Sequence, residues 1–202
     1  ARRKEPAEVY SERLSRAFYE NYIGSIIDWY GATRFRREPL LGYDGPDEAA
    51  RRFFNQFAED CDLKGSTLSD FFRRQLIEAM VSGKSYIAIE FPKPAGQAAN
   101  RAEEEALGAS RAYLCEYGGD AVINWQRDER GEYDWLVTRT VRTVDDGREW
   151  LKRKRWVYYD REIYRVYEAL ERQGKKETPV LGDEGPQALA KVGRTPVFEV
   201  TL

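Results

Sequence analysis

Apolar residues recur every three to four positions through the N-terminal part of the chain, a spacing that predicts one long amphipathic helix from Pro6 to about Tyr30. The stripe that this helix would bury comprises Tyr10, Leu14, Phe18, Tyr22, Ile26 and Tyr30. Loop-forming glycines and prolines follow as far as Pro46, where a second helix is predicted to begin and to run to Gly65. Its buried face would comprise Phe53, Phe54, Phe57, Ala58 and Cys61.

A third helix has clear boundary signals at both ends. Thr67, with Asp70 three residues later, resembles a capping box, and Gly83 is a typical residue for the position just after a helix. The apolar face of this helix is predicted to comprise Leu68, Phe72, Leu76 and Met80. We expect that face to pack against the first helix and against the strand that follows, and so to form the principal core.

Short apolar runs separated by turn residues predict β-strands in the rest of the chain. The first run, Tyr86 to Phe91, reads as a buried strand ended by Pro92, and segment 93–110 reads as an insertion with a short helix at 101–107. Further strands are predicted at 112–117, 121–125, 133–143, 148–159 and 163–170, of which the last three would form an antiparallel meander. The tail from residue 174 is predicted to be loop-rich, with one edge strand at 197–200.

This pattern predicts an α+β fold in which N-terminal amphipathic helices pack against a mostly antiparallel sheet. We divide the chain into a helical part with the first strand (1–92), the insertion (93–110), and the meander with its loop-rich tail (111–202). The parts are expected to form one composite domain. Composition leaves open whether the chain is a part of a longer protein.

The charge balance gives the chain no overall attraction to polyanions, because 33 basic residues stand against 35 acidic ones in 202 residues. Any contact with nucleic acid would therefore need a local basic patch. Cys61 and Cys115 form no metal-binding or disulfide pattern, which predicts buried, unpaired thiols in a reducing compartment. No apolar run approaches the ~20 residues that span a bilayer, so we expect a cytoplasmic origin and no membrane partner.

Candidate chemistry is sparse. The chain contains no histidine, which removes the commonest general base and the commonest metal ligand. Segment 83–85, Gly-Lys-Ser, lacks the earlier glycine of a phosphate-binding loop and is interpreted as a helix end. The acid pairs Asp60/Asp62 and Asp145/Asp146 have the oxygen ligands that Mg²⁺ prefers, but turns select aspartate, so we interpret them as solvated turn residues. No catalytic residue, metal or cofactor is predicted.

One basic cluster falls on the predicted meander, with Trp150 and Trp156 interleaved: Arg139, Arg142, Arg148, Lys152, Arg153, Lys154 and Arg155. Strand alternation places Lys152 and Lys154 with the tryptophans on one face, and Arg153 and Arg155 on the other. Acidic residues at 149, 160 and 162 are expected to pair with the cluster across strands. The strand that carries Lys152, Arg153, Lys154 and Arg155 is therefore either solvated or in contact with another subunit, which we favour, or it contacts a polyanion.

Adjacent aromatic residues point to a protein interface. In Phe53-Phe54 and in Phe71-Phe72 the two side chains lie ~100° apart on a helix, so both members of a pair cannot point fully inward. Aromatic residues concentrate at protein interfaces. We expect part of this aromatic surface to meet a neighbouring protein.

Several segments resemble the N-terminal, wing-type region of tailed-phage portal proteins. They are the helix segment 16–22 (Arg-Ala-Phe-Tyr-Glu-Asn-Tyr), the segment 78–83 (Glu-Ala-Met-Val-Ser-Gly) with its following strand, the stretches 113–117 and 122–125, and the exit at 193–197 (Gly-Arg-Thr-Pro-Val). The resemblance covers nearly the whole chain. The long stem helices, clip and crown of complete portals are not visible in it.

The resemblance implies a structural role without catalysis. It implies a homo-oligomeric ring, typically of twelve subunits, at one capsid vertex of a virion assembled in the host cytoplasm. Double-stranded DNA would be driven through this ring by the terminase, and tail-connector proteins would attach to it. Because portals line their DNA channel largely with the parts that are not visible here, no DNA-contacting residue is carried over.

Two other classes of function stay open. The first is a nucleic-acid-binding module that uses the basic meander around residues 139–155, and it predicts salt-dependent binding by the isolated chain. The second is an enzyme that uses carboxylates and a metal, which would require a cleft with converging acids.

Overall fold

The computed structural model describes residues 5–18, 20–37, 39, 41–92, 103, 111–145, 147, 150–171 and 178–202. Apart from Glu103, the predicted insertion 93–110 and its short helix lie outside the described residues. The chain divides into two compact units, 1–36 and 37–202, which we describe separately.

The first unit contains two helices where the sequence pattern predicts one, so that prediction is wrong. Helix α1 spans Ala7–Ser15 and helix α2 spans Tyr22–Arg34. Asn21 caps α2, because its side-chain oxygen accepts a hydrogen bond from the Gly24 amide at 2.9 Å. The apolar stripe that the pattern predicts is not buried either. Tyr10 is half-buried, and the other five residues of the stripe are exposed: Leu14, Phe18, Tyr22, Ile26 and Tyr30.

The second unit begins with helix α3, Glu48–Glu59, which starts later and ends earlier than predicted. Asp47 sets the start, since its side chain accepts hydrogen bonds from the Ala49 and Ala50 amides at 2.8 and 3.3 Å. The chain leaves the helix at Asp60 and turns through residues 61–65. Carboxylates hold this turn: Asp60 accepts from the Gly65 amide and Asp62 from the Lys64 and Ser66 amides. Helix α3 therefore ends at the turn that Asp60 and Asp62 stabilise, and not at Gly65 as the sequence pattern predicts.

Helix α4 spans Leu68–Ser82 and has both predicted boundary signals. Thr67 accepts a hydrogen bond from the Asp70 amide, and Gly83 adopts the left-handed conformation at φ 82°. The predicted apolar face is wrong, because the side chains that are buried are those of Leu68, Phe71, Gln75 and Ala79. Of the predicted face, Phe72 is exposed, and Leu76 and Met80 are half-buried. The buried stripe is therefore centred one residue earlier, on Phe71.

Within the described ranges, eight strands form two antiparallel sheets. The three-stranded sheet has the order β2-β1-β8, with β1 at Lys84–Glu90, β2 at Tyr113–Tyr117 and β8 at Val197–Thr201. The five-stranded sheet runs in chain order, and its strands are β3 Val122–Arg127, β4 Tyr133–Asp145, β5 Trp150–Asp160, β6 Ile163–Glu171 and β7 Val180–Pro186. The prediction of a loop-rich tail is wrong for β7, since glycines and a proline are tolerated at the edge of a sheet.

Strand β1 lies between two cores. On one of its faces Ile87 packs with Cys61, Leu68, Phe71 and Leu114, so this core joins the three-stranded sheet to α3 and α4. On the opposite face Tyr86 and Ala88 pack with residues of the five-stranded sheet: Leu136, Val157, Tyr159 and Val166. The second unit is thus a stack of helices, a small sheet and a larger sheet, and the predicted α+β class is confirmed.

The two thiols lie on opposite faces of the three-stranded sheet. Cys61 belongs to the helix-side core, whereas Cys115 packs against the core between the two sheets. Both thiols are free in the structure. Burial raises the pKa of Cys61 to about 11 and that of Cys115 to about 12, so both groups stay protonated at neutral pH.

Candidate functional site

The predicted contact residues Lys152, Arg153, Lys154 and Arg155 all lie on β5, where they alternate between its two faces as predicted. Arg153 and Arg155 share the face that carries the buried residues Val157 and Tyr159 further along the strand. Lys152 and Lys154 share the other face with exposed Trp150 and half-buried Trp156. The basic cluster is therefore two separate surfaces.

On the outer face of β5, the acidic partner of the cluster is not one of the predicted residues. Lys154 Nζ lies 2.7 Å from Oε2 of Glu171, which comes from the neighbouring strand β6. Asp160 instead accepts hydrogen bonds from the Glu162 and Ile163 amides and so holds the turn between β5 and β6. The expected pairing of Asp160 with the cluster is wrong, and residue 149 lies outside the described residues.

On the inner face, three arginines converge on one wall of a cleft with a volume of about 890 Å³. Arg142 of β4 stands directly opposite Arg153 of β5, and Arg155 follows two residues later on the same face. Thr140 of β4 lies opposite Arg155 and also lines the cleft. We call the space bounded by Thr140, Arg142, Arg153 and Arg155 the arginine cleft. Its facing wall is formed by edge strand β2 and by the turn that follows α3.

The acidic groups of the cleft mostly have partners of their own. Asp62 and Glu116 both bind Arg74, at 3.3 and 3.2 Å. Glu90 accepts hydrogen bonds from the Tyr159 hydroxyl and, at 2.9 Å, from the Tyr113 hydroxyl. Asp183 accepts one from the Tyr164 hydroxyl at 3.2 Å. These contacts tie the acids into the walls.

The arginines of the cleft, unlike most of its acids, have no partner among the described residues. Within the described part of the chain, the side chains of Arg142, Arg153 and Arg155 form no hydrogen bond and no ion pair. Glu168 stands opposite Arg155 on β6, but the two groups do not approach within ion-pair distance. Sequence reasoning missed this convergence because it needs the register between β4 and β5, which places residue 142 beside residue 153.

A second cavity, of about 690 Å³, adjoins the arginine cleft and shares five lining residues with it: Glu90, Tyr113, Arg155, Val166 and Asp183. Most of its lining is apolar, with Ile89, Phe91, Val157 and Pro196 among the contributors. Between the two sheets the Tyr117 and Tyr159 hydroxyls lie 3.4 Å apart. Burial raises the pKa of Tyr117 to about 12 and that of Tyr159 well above its ordinary value, so neither phenol supplies a base at neutral pH.

The acid pairs singled out as Mg²⁺ candidates are engaged elsewhere. Asp60 Oδ2 lies 2.7 Å from Arg111, and the Gly65 amide is the main cause that holds the pKa of Asp60 below its ordinary value. Asp145 accepts a hydrogen bond from the Gly147 amide, and residue 146 lies outside the described residues. Over the described ranges, no group of three or more carboxylates and thiols could hold a metal ion.

No protein-family model matches the chain, and no curated protein shows significant similarity to it. Among the residues that the structure describes, no helix combines the length and the apolar character required to cross a bilayer.

Proposed function

We propose that the chain is a structural subunit of a phage portal, the head–tail connector ring through which DNA is packaged and ejected at one capsid vertex. The resemblance of its segments to portal wing regions is the first support. The structural observation that carries the proposal is the exposure of helix α2: Ile23, Ile26 and Trp29 are 66%, 54% and 62% exposed. Exposed apolar surface of this extent is typical of protein interfaces.

Helix α2 carries one broad apolar face, opposite a side of small and polar residues that includes Gly24, Ser25 and Asp28; the face comprises Tyr22, Ile23, Ile26, Ile27, Trp29 and Tyr30. Its sequence, Tyr-Ile-Gly-Ser-Ile-Ile-Asp-Trp-Tyr-Gly-Ala-Thr-Arg, buries only Gly31 within the structure. Such a helix is stable in water when something covers it. In a ring the cover is a neighbouring copy, because each subunit presents one surface to the next in a repeated lateral contact.

Within this proposal the ring acts without catalysis and without a cofactor, and it is a component of the virion. Its partners are further copies of the chain, the capsid, the terminase and tail-connector proteins, with double-stranded DNA passing through the centre.

Substituting Ile26 by Asp tests the proposal, because a buried carboxylate at a lateral contact costs more than a solvated one. We expect mass photometry and negative-stain microscopy to show rings for the unmodified protein and small species for Ile26→Asp. Val192→Asp is the matched control, since Val192 is a similarly exposed aliphatic residue of the second unit, at 66%, and its substitution should leave the rings intact. An unmodified protein that stays monomeric at high concentration would contradict the proposal.

A nucleic-acid-binding module is the second candidate, because exposed Trp150 lies beside Lys152 on the outer face of β5 and could stack on a base. Two features of the structure disfavour it: the basic charges of β5 divide between the two faces of the strand, and Lys154 is paired with Glu171. If Lys152, Arg153, Lys154 and Arg155 are changed together to Ser, we expect duplex DNA binding at near-physiological salt to be weak before and after, while assembly or solubility suffers. Submicromolar binding that the change abolishes would favour the module instead.

A further inference from the structure

The arginine cleft brings three positive groups together, and within the described residues their side chains form no hydrogen bond and no ion pair. Like charges placed directly opposite each other on neighbouring strands destabilise a sheet. Arg142 and Arg153 occupy such a position, and Arg155 lies two residues further along the same face. Among the acids that share the cleft, Asp62 and Glu116 pair with Arg74, whereas Glu90 and Asp183 accept hydrogen bonds from tyrosine hydroxyls. An anion between the guanidinium groups would offset their mutual repulsion.

The chemistry of the cleft favours phosphate over carboxylate. A guanidinium group offers a planar pair of N–H donors that matches two oxygens of a phosphate. A carboxylate has two oxygens, so one guanidinium group can bind both of them. A phosphate group has more oxygens and a charge near −2, so it can bind several guanidinium groups at once. The Thr140 hydroxyl supplies a further donor on the same wall.

Shape and charge also limit the ligand. The cleft has two walls and a volume of about 890 Å³, which lies within the range of small-molecule sites and does not admit a DNA duplex. Glu168 stands opposite Arg155 and repels an anion at that end, whereas Leu170 stands opposite Arg153. The favourable position is therefore beside Arg142 and Arg153, with Lys64 on the facing wall.

We propose that the arginine cleft is a binding site for a compact phosphate-bearing anion of about the size of inorganic diphosphate, held chiefly by Arg142 and Arg153. The phosphates can come from a free small molecule or from the backbone of a single strand, since both present the same oxygens to the guanidinium groups. The site lies within one chain, so it does not depend on ring assembly.

Isothermal titration of the whole chain with sodium diphosphate, in a chloride buffer of low ionic strength, tests the site. We expect saturable binding that Arg142→Gln and Arg153→Gln each weaken by roughly tenfold, as for the loss of one charge-assisted contact. Arg139→Gln is the matched control, because Arg139 is an exposed arginine of β4 on the opposite face, and its loss should change the affinity by less than about twofold. Melting temperatures without ligand check that all three variants are folded.

Two further titrations identify the source of the phosphate. If a short single-stranded oligonucleotide also binds and loses affinity in the same two variants, the site accepts backbone phosphates. If only diphosphate binds, the ligand is a free phosphate compound. Absence of diphosphate binding would overturn the proposal, and so would equal weakening by Arg139→Gln, which would mean general attraction to positive charge.

Discussion

Replacing Phe71 by Ala should lower the free energy of unfolding by about 3–5 kcal/mol, the usual cost of removing a fully buried phenylalanine. The Phe71 side chain is 0% exposed and lies at the centre of the core between α4 and β1. It packs with Leu68, Ile87 and Leu114, and Arg74 lies over its ring. Truncation leaves a cavity that three separate elements line, so the surroundings cannot easily collapse into it.

The adjacent Phe72 provides a matched control, because it is the same residue type on the same helix but is 40% exposed. Phe72→Ala should cost below about 1 kcal/mol. Chemical denaturation of both variants measures the two losses. Equal losses, or a larger one for Phe72, would restore the helix face that the sequence pattern predicts and contradict the packing described above.

Alkaline pH should destabilise the second unit strongly, because several of its buried groups must lose protons when the chain unfolds. Unfolded cysteine titrates near pH 8.5 and unfolded tyrosine near pH 10. In the folded state burial raises the pKa of Cys61 to about 11 and those of Cys115 and Tyr117 to about 12, and it raises the pKa of Tyr159 well above its ordinary value. Because the folded pKa values are the higher ones, this stability is fully present below about pH 8 and is lost between about pH 9 and 12.

Cys61, Cys115 and Tyr117 are each expected to lower the free energy of unfolding by on the order of 1–3 kcal/mol over that range. Urea denaturation at a series of pH values from 7 to about 11 measures the slope. Tyr117→Phe should make the loss above about pH 10 shallower, since one titrating phenol is gone. Val157→Ala should instead lower the free energy of unfolding equally at every pH, because it removes packing and no proton. A stability that does not change up to about pH 11 would contradict this account of the burial.

Local signals in the sequence predicted the elements that depend on local chemistry. Thr67 and Gly83 placed both ends of α4, because a side-chain cap and a left-handed residue act within one turn of the helix. The break between α1 and α2 was missed because the spacing of Leu14, Phe18 and Tyr22 continues across it, whereas the cap at Asn21 was the signal that could have revealed it. Strand β7 was missed because its stability comes from pairing with β6 and not from its own glycine-containing sequence.

The candidate site depended on information of another kind. Alternation along β5 gave the correct faces for Lys152 and Arg153, since it follows from the geometry of a single strand. The convergence of Arg142 on Arg153 follows from the register of two strands, and the facing wall follows from how two sheets stack. The buried face of α4 has the same origin, because Phe71 is selected over Phe72 by the sheet beneath the helix.

The position of β1 has a consequence for how the protein is made. Its partner β8 lies roughly a hundred residues further along the chain, so the small sheet is closed by one of the longest-range contacts in the fold. Strand β8 contributes Val197 to the core between the two sheets and Val200 to the helix-side core, so neither core is complete until β8 has been synthesised. We therefore expect a nascent chain interrupted before Val197 to expose apolar surface from both cores at once.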